Sequence, residues 1–308
     1  MQKNISFKSG LGFLLILTMF AACSSGSKSD SKFFYFNLEK GKSYNYEIVM
    51  DMDQEMMGQK NKIGFIAGYT VNVTGDDGKL KTLETEYNDF KMNMSMMGQE
   101  IKIDAKQKAE PMSKEEMKAS PMDFLKTAFS GIIGKKFNMK VDTSGKILEV
   151  TGFDELLQSM IAGMSVDAEM AQAMEASLKN QFNPEKITET FSPMFNIYPG
   201  RPVKVGDSWE RNYSLSGPTA AKYTTTFTVK SFEGDKVLLD TKTKIEQLKI
   251  DGEGEAMNLK LEGKQSGIMQ VNLKNGLVID SDLTQDFETS GGMKMTMKSK
   301  IKMKGKEK

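Results

Sequence analysis

The 308-residue sequence contains no histidine, one cysteine (Cys23) and one tryptophan (Trp209). Without histidine, the chain cannot form a Ser-His-Asp triad, an imidazole proton shuttle or a histidine-ligated metal site. A single cysteine excludes an internal disulfide bond and a thiolate cluster. The 42 basic and 41 acidic residues nearly cancel, so the positive charge typical of a nucleic-acid binder is also missing. We therefore expect no nucleic-acid partner and no cofactor.

The first 22 residues have the layout of a secretory signal peptide, with two lysines before an apolar run at residues 11–20. This run is too short to span a bilayer. The segment Phe20-Ala21-Ala22-Cys23 resembles a bacterial lipobox, in which the cysteine becomes the lipid-modified first residue of the mature protein. The resemblance implies removal of residues 1–22, lipidation of Cys23 and attachment to a membrane through that lipid. The alternative is an ordinary secretory signal that has a cysteine nearby.

Residues 23–32 are rich in serine and offer no apolar side chain after the cysteine, which is typical of a flexible tether. Ser24 follows the cysteine where another class of lipoproteins has aspartate, and this resembles lipoproteins of the outer membrane. Asp30 is the one acidic residue of the tether, whereas surface-exported relatives tend to be acidic there. We therefore expect a lipid-anchored outer-membrane protein that faces the periplasm, with a single β-rich domain at residues 33–308.

Alternating apolar and polar residues predict antiparallel strands along most of this domain. The alternation runs from Tyr44 to Met52, from Ile63 to Val73 and from Met293 to Met303. In the last of these segments, methionines and Ile301 alternate with lysines. Each strand is thus expected to have one buried face and one solvated face.

Between about residues 120 and 195 the period changes to that of helices. Ser120-Pro121 is typical of a helix start, and Asn183-Pro184 opens another short helix. We expect Pro193 to be among the residues that end this region. The clearest amphipathic helix has an apolar face consisting of Phe153, Leu156, Leu157, Met160, Ile161 and Met164.

Short matches at an offset of 165 residues indicate two related halves, at about residues 33–150 and 203–308. Chance similarity between β sequences is the alternative. With about six strands each, the halves can form one curved sheet, an open barrel or two small barrels. The matching segments are Gly41-Lys42-Ser43-Tyr44 with Gly206-Asp207-Ser208-Trp209, Met92-Asn93-Met94 with Met257-Asn258-Leu259, Ile103 with Ile268 and, at a shorter offset, Tyr69-Thr70-Val71 with Phe227-Thr228-Val229.

We predict a mainly β fold with a helical insertion: one curved antiparallel sheet or half-barrel whose concave side is covered by the helices, since their apolar faces need a partner. This outline resembles the half-barrel lipoprotein carriers related to LolA, LolB and LppX. The lipobox, Leu38-Glu39-Lys40-Gly41 before an aromatic strand, and the motif from Pro202 to Trp209 resemble an uncharacterised family of Bacteroidota lipoproteins. This family resemblance implies no activity, and the carrier resemblance concerns the fold alone.

Pairs of methionines two residues apart are the first candidate functional groups, because such pairs share one face of a strand. Thioethers are soft ligands for Cu(I), adaptable core residues, or apolar lining for a lipid pocket. Leucines at corresponding positions of the second half favour apolarity over metal binding. With two residues of a helical lid and an aromatic wall, the candidate ligand-binding set is Met50, Met52, Met92, Met94, Leu156, Met160, Trp209, Met295 and Met297.

Two acidic clusters, at Asp51, Asp53 and Glu55 and at residues 251–255, match a solvated strand face and a plain loop. We predict no catalytic residue and no metal ligand. The sequence therefore favours a non-enzymatic envelope protein that binds a lipid or other hydrophobic ligand in an apolar cavity. The alternatives are a structural or interaction lipoprotein with a packed core, whose protein partner is unknown, and an envelope enzyme that uses carboxylates.

Overall fold

The computed structural model describes residues 31–96, 99–107, 121–162, 168–181, 183–216, 219–250, 260–290 and 295–308. Cys23, the signal peptide and the acidic segment at residues 251–255 lie outside the described residues. The strands are β1 (Ser43–Met56), β2 (Gln59–Asp76), β3 (Leu80–Met96), β4 (Gln99–Asp104), β5 (Lys136–Asp142), β6 (Ile147–Thr151), β7 (Ser208–Leu215), β8 (Thr219–Glu233), β9 (Lys236–Ile250), β10 (Lys260–Asn272), β11 (Val278–Ser290) and β12 (Met295–Glu307). The helices are α1 (Pro121–Ile132), α2 (Phe153–Ala162), α3 (Ala168–Gln181) and α4 (Pro184–Phe195).

All twelve strands form one antiparallel sheet in the order β6-β5-β3-β2-β1-β12-β11-β10-β9-β8-β7, with β4 also paired to β3. The first and last strands of the chain pair in the middle, and the edge strands β6 and β7 are not paired with each other. The prediction of a mainly β protein with one open antiparallel sheet is therefore confirmed. No helix in the described part of the chain is long and apolar enough to cross a bilayer.

The two halves of the sheet are successive meanders with equivalent registers. Tyr44 lies opposite Val71 in the first meander, as Trp209 lies opposite Phe227 in the second. The next buried pairs correspond in the same way, Val73 with Leu83 and Val229 with Leu239, and a bulge follows in both β2 and β8. The structural equivalent of Phe227 is thus Val71, and the expected match of Phe227 with Tyr69 is out of register by two residues.

The offset of 165 residues also fails at Ile103 and Ile268. Ile103 is buried on β4, whereas Ile268 is 41% exposed on β10. The reason is an insertion: both β4 and β5 pair with β3, and α1 lies between them in the chain. In the second meander the uninterrupted strand β10 pairs with β9.

Charges alternate across the outer face at the junction of the two meanders. Lysines of β12 lie opposite acids on both sides, for example Lys304 between Glu47 and Asp280, and Lys298 between Asp53 and Asp286. Opposite charges on neighbouring strands attract one another. Charges of opposite sign are thus balanced locally on this face.

Three helices contribute aromatic side chains to the concave side of the first meander. Phe129 of α1 stacks on Phe90 with ring centroids 4.0 Å apart. Phe153 of α2 meets the edge of Phe137, and Phe191 of α4 contacts both Phe137 and Tyr69. Helix α4 also contacts both edge strands, β6 and β7, and continues through Pro193 to Phe195, so the expectation that Pro193 ends the helical region is wrong.

One end of the sheet is closed by the extended segment at residues 32–38. The Phe36 N–H donates to the carbonyl of Thr143 at 3.1 Å, and the Asn37 N–H donates to that of Asn275 at 3.1 Å. These carbonyls belong to the equivalent turns after β5 and β10. Because Phe34 and Phe36 are fully buried between them, this segment links the two meanders at what we name the closed end.

A substitution in one of these turns tests the closed end. Gly276 has a φ of +74°, and an added Cβ would lie 2.3 Å from the Tyr35 carbonyl oxygen. We expect Gly276→Ala to lower the free energy of unfolding by about 3 kcal/mol, from left-handed strain and displacement of the segment. Gly200→Ala is the matched control, because Gly200 has a φ of +70° with open space around it. Its expected loss is about 1 kcal/mol, and equal losses in urea unfolding would contradict the closed-end packing.

Candidate functional site: an apolar cavity under the second meander

A cavity of about 480 Å³ lies between α4 and the inner face of the strands from β7 to β12, with β1 and β2. Its lining contains no aspartate, glutamate, lysine or arginine among the described residues, and its only titratable members are Tyr213 and Tyr223. The apolar lining residues are Ile48, Met50, Phe65, Pro193, Met194, Leu215, Phe227, Ile245, Met269, Leu283, Phe287, Met297, Ile301 and Met303.

The strand registers arrange this lining in transverse rows. One apolar row runs through Leu283, Ile301, Met50 and Phe65, which are direct neighbours on consecutive strands. Gly267 precedes Leu283 in this row and has no side chain, because a Cβ there would lie 2.0 Å from the Asp282 carbonyl oxygen. Close approach of the backbones thus leaves space on the inner face at this position.

The next row away from the closed end is polar and uncharged. Thr225, Thr243, Gln265, Gln285 and Ser299 occupy directly paired positions on β8 to β12, and we name this row the polar belt. Within it, the hydroxyls of Thr225 and Thr243 are 2.9 Å apart, and Gln285 Nε2 donates to Gln265 Oε1 at 2.6 Å. The row beyond contains Phe287 and Met297, so the belt lies between two apolar rows.

Ser299 stands out within the polar belt. Its residue is 3% exposed, and its hydroxyl has no hydrogen-bond partner among the described residues. It alternates along β12 with Met297 and Ile301, which both line the cavity, but Ser299 itself is not part of the lining. A buried hydroxyl without a partner is costly, so this position has unused hydrogen-bonding capacity on the inner face.

The helical wall is fixed by an ion pair at the start of α4. Lys186 Nζ lies 3.2 Å from Glu189 Oε2, and it also donates to the Ser216 carbonyl and hydroxyl beyond β7. Burial favours a higher pKa for Glu189, but hydrogen bonds from Ser216 and Lys186 outweigh it and hold the pKa below its ordinary value. Glu189 is therefore ionised and paired, next to Thr190 in the cavity wall.

The predicted ligand-binding residues are divided between the cavity and the packed core. Met50 and Met297 line the cavity, and Met52 is the neighbour of Ser299 on the same face. Met295 accepts a hydrogen bond from Gln54 at 3.1 Å and is not part of the lining. Met92 and Met94 pair with Phe65 and Ile63 on the inner face of the first meander.

The remaining three candidates are away from the cavity. Leu156 and Met160 are buried in α2, which packs on α1 and β5, so α4 rather than the expected α2 borders the cavity. Trp209 is in the closed end, where its Nε1 donates to the Ile197 carbonyl at 2.8 Å and its ring contacts Phe34. It lies in the packed end of the molecule rather than at a cavity mouth.

Sequence reasoning missed several lining residues, notably Met194, Met269, Leu283, Ile301 and Met303. Ile301 and Met303 belong to the alternation recognised in the last strand, and their positions between Met297 and the C-terminus were a usable signal. The lining from β8 to β11 offered no such signal, because the inner faces of these strands carry threonine and glutamine as well as apolar residues.

A second depression, of about 850 Å³, crosses the outer face of the sheet. Its lining includes Glu47, Asp89 and Asp280 together with Lys304 and Lys306. Asp89 pairs with Lys106 at 3.0 Å. This surface is charged and self-complementary, unlike the cavity.

Residues 78–278 match the model of a family of unknown function, DUF6263. The chain belongs to this family. The matched residues extend from the turn before β3 to the start of β11, and so include most of the cavity wall and all four helices. Membership of DUF6263 confirms the expectation of an uncharacterised family and assigns no activity.

No curated protein matches the chain. Among solved structures, it is similar to the translocator domain of the autotransporter NalP from Neisseria meningitidis, with 6% identity, 87% of this chain and 89% of that chain covered, and a TM-score of 0.22. A protein from Bacteroides fragilis that is described as exported, with a YmcC-like fold, has 11% identity, 86% and 96% coverage and a TM-score of 0.22. An outer membrane channel from Pseudomonas putida F1 has 7% identity, 88% and 98% coverage and a TM-score of 0.22. These values carry no information about activity.

The buried tyrosines predict an alkaline limit to stability. Burial is the main cause of raised pKa values at seven of the eight tyrosines, and it raises those of Tyr87 and Tyr223 to about 12. In the unfolded chain a tyrosine loses its proton at a pH of about 10. The folded state therefore binds more protons between these values, and stability falls as the pH rises through this window.

We expect tyrosinate absorbance and the loss of β-sheet circular dichroism to rise together above a pH of about 10. The same chain in denaturant serves as the control, since all its tyrosines then titrate near the ordinary pKa. Complete titration near that ordinary value with the sheet intact would contradict the buried positions of these rings.

Proposed function

We propose that this protein binds one hydrophobic ligand in the cavity between the second meander and α4. The observation that carries the proposal is the difference between two equivalent half-sheets. The concave side of the first is filled by aromatic contacts with the helices, whereas that of the second encloses about 480 Å³. Packed interiors leave voids little larger than a water molecule, and small-molecule sites measure roughly 300–1,000 Å³.

The chemistry of the lining favours apolar burial as the driving force. Methionine, leucine, isoleucine and phenylalanine side chains contribute most of the wall, and thioethers adapt to ligands of irregular shape. The volume suits one lipid chain or an apolar molecule of similar size. The described lining has no carboxylate pair, and this argues against the alternative of an enzyme that acts through carboxylates.

The alternative is a structural lipoprotein that binds no ligand. In that case the cavity is a packing defect, and filling it stabilises the protein without removing any binding activity. In the ligand-binding case, filling it removes a measurable activity. The two readings therefore make opposite claims about a variant that fills the cavity.

The test is Leu283→Trp, which inserts a large side chain from the middle of the apolar row. We expect loss of binding of Nile red, an uncharged hydrophobic dye, by at least about tenfold, because the ring occupies the space of the ligand. Thr284→Trp is the matched control, since Thr284 is the next residue on β11 and is exposed on the outer face. Fluorescence titration measures both. Equal binding by the two variants would overturn the proposed site.

Membrane attachment through Cys23 is the second part of the proposal. The lipobox-like segment, the serine-rich tether and the position of the only cysteine support an anchor at the outer membrane facing the periplasm. The lipobox-like segment is also one of the features that resemble Bacteroidota lipoproteins. A carrier or receptor of hydrophobic ligands beside a membrane is the role that combines both parts.

Cys23→Ala tests the anchor. We expect the variant to move from the membrane fraction to the soluble fraction and to lack the added mass of the lipid, because a single thioether-linked lipid group accounts for the attachment. Ser24→Ala is the control and is expected to stay with the membrane. A Cys23→Ala variant that keeps its membrane attachment would exclude this anchor.

A further inference from the structure

We infer that the cavity selects an uncharged ligand that carries a polar group, such as a hydroxyl, ester or amide, on an apolar chain, and that the polar belt binds that group. The inference rests on the proposed function and specifies its ligand class. Two observations carry it: the absence of ionised side chains from the described lining, and the row of uncharged polar side chains across its middle.

The first observation excludes an anionic ligand head from the cavity. A carboxylate moved out of water needs a cation or several hydrogen-bond donors to offset its lost hydration. Lys186 is committed to Glu189 and Ser216, and Arg211 donates to the carbonyls of Tyr198 and Glu210. The ionised Glu189 beside Thr190 repels an anion further. A fatty acid in its ionised form thus has no partner there.

The second observation excludes a purely apolar ligand as the best fit. A hydrocarbon would leave the amides of Gln265 and Gln285, and the hydroxyls of Thr225 and Thr243, facing an apolar surface. All four of these side chains are part of the cavity lining, whereas the buried Ser299 beside them is not. A ligand hydroxyl or ester at the level of the belt supplies a hydrogen bond there, while its chain lies along Leu283, Ile301 and Met50.

The row of the polar belt continues into the first meander, where its residues are apolar. At the same level of the first meander, the inner face continues from Met52 of β1 to Ile63 of β2 and Met94 of β3, which are all apolar. The change from apolar to polar occurs between Met52 and Ser299, at the junction of the meanders. Polar side chains are therefore confined to the half of the row that borders the cavity.

The test compares decanol with decanoate, which share one chain and differ in charge. We use the mature chain, residues 23–308, with Cys23→Ala so that no attached lipid competes, and isothermal titration calorimetry. At a pH of about 8 we expect decanoate to bind at least ~100-fold more weakly than decanol, because only its protonated form enters the cavity. The gap is expected to close as the pH approaches the ordinary pKa of the fatty acid.

The double variant Gln265→Leu/Gln285→Leu tests the belt itself. We expect the affinity for decanol to fall about five- to tenfold through loss of one hydrogen bond, with Nile red binding unchanged. Because Gln285 Nε2 donates to Gln265 Oε1, replacing both residues together leaves neither amide without the partner that it has in the parent chain. Ser266→Ala, on the outer face next to Gln265, is the control and keeps full decanol affinity.

The outcomes separate the inference from the proposed function. Nile red binding with equal affinities for decanol and decanoate overturns the uncharged ligand class and leaves the cavity site in place. Unchanged decanol affinity in the double variant Gln265→Leu/Gln285→Leu overturns the role of the belt. Failure of Nile red and decanol alike to bind removes the proposed function together with the inference.

Discussion

The pairing of the first strand with the last is the interaction on which the rest of the structure depends. Thirteen residue pairs join β1 to β12, from Tyr44 opposite Glu307 to Met56 opposite Met295. This ladder unites two meanders, each of which has an inner apolar face, into one sheet with one shared interior. Without it, each half would need to bury its inner face alone, and the transverse rows that cross the junction would not exist.

The two equivalent meanders differ in what covers their inner faces. The first has its concave side covered by helices, and β4 and β5 are separated in the chain by α1. The second keeps β10 uninterrupted, has no helix of its own among the described residues and borders the cavity. Helix α4 contacts both meanders. Its Phe191 packs into the first, whereas Met194 and Thr190 line the cavity under the second. The same half-sheet thus serves as scaffold in one copy and as a candidate binding surface in the other.

Much of the fold was predictable from local patterns, because strands with one buried face show a strict period of two residues. The alternation around Met50 and Ile301 identified the inner face at the junction, and Asn183-Pro184 located the start of α4. The offset of the repeat was misplaced for two reasons. The hairpin from Tyr44 to Val71 is longer than its equivalent from Trp209 to Phe227, and the insertion before β5 lengthens the first half, and neither changes the local pattern. The cavity was harder to locate, because a buried apolar side chain such as Met160 has the same pattern whether it contacts a ligand or the core. The polar belt is formed by five consecutive strands with one member each, and only the register of their pairing brings residues as distant as Thr225 and Ser299 into one row.

The most direct test of the central claim is native mass spectrometry, with lipid extraction, of the mature Cys23→Ala chain purified from the soluble fraction of its own source. The account predicts one co-purifying hydrophobic molecule per chain, electrically neutral and carrying a hydroxyl, ester or amide group. The molecule is expected to be absent from Leu283→Trp and retained by Thr284→Trp. A mass equal to that of the free chain, together with no binding of Nile red, would contradict a ligand-binding cavity.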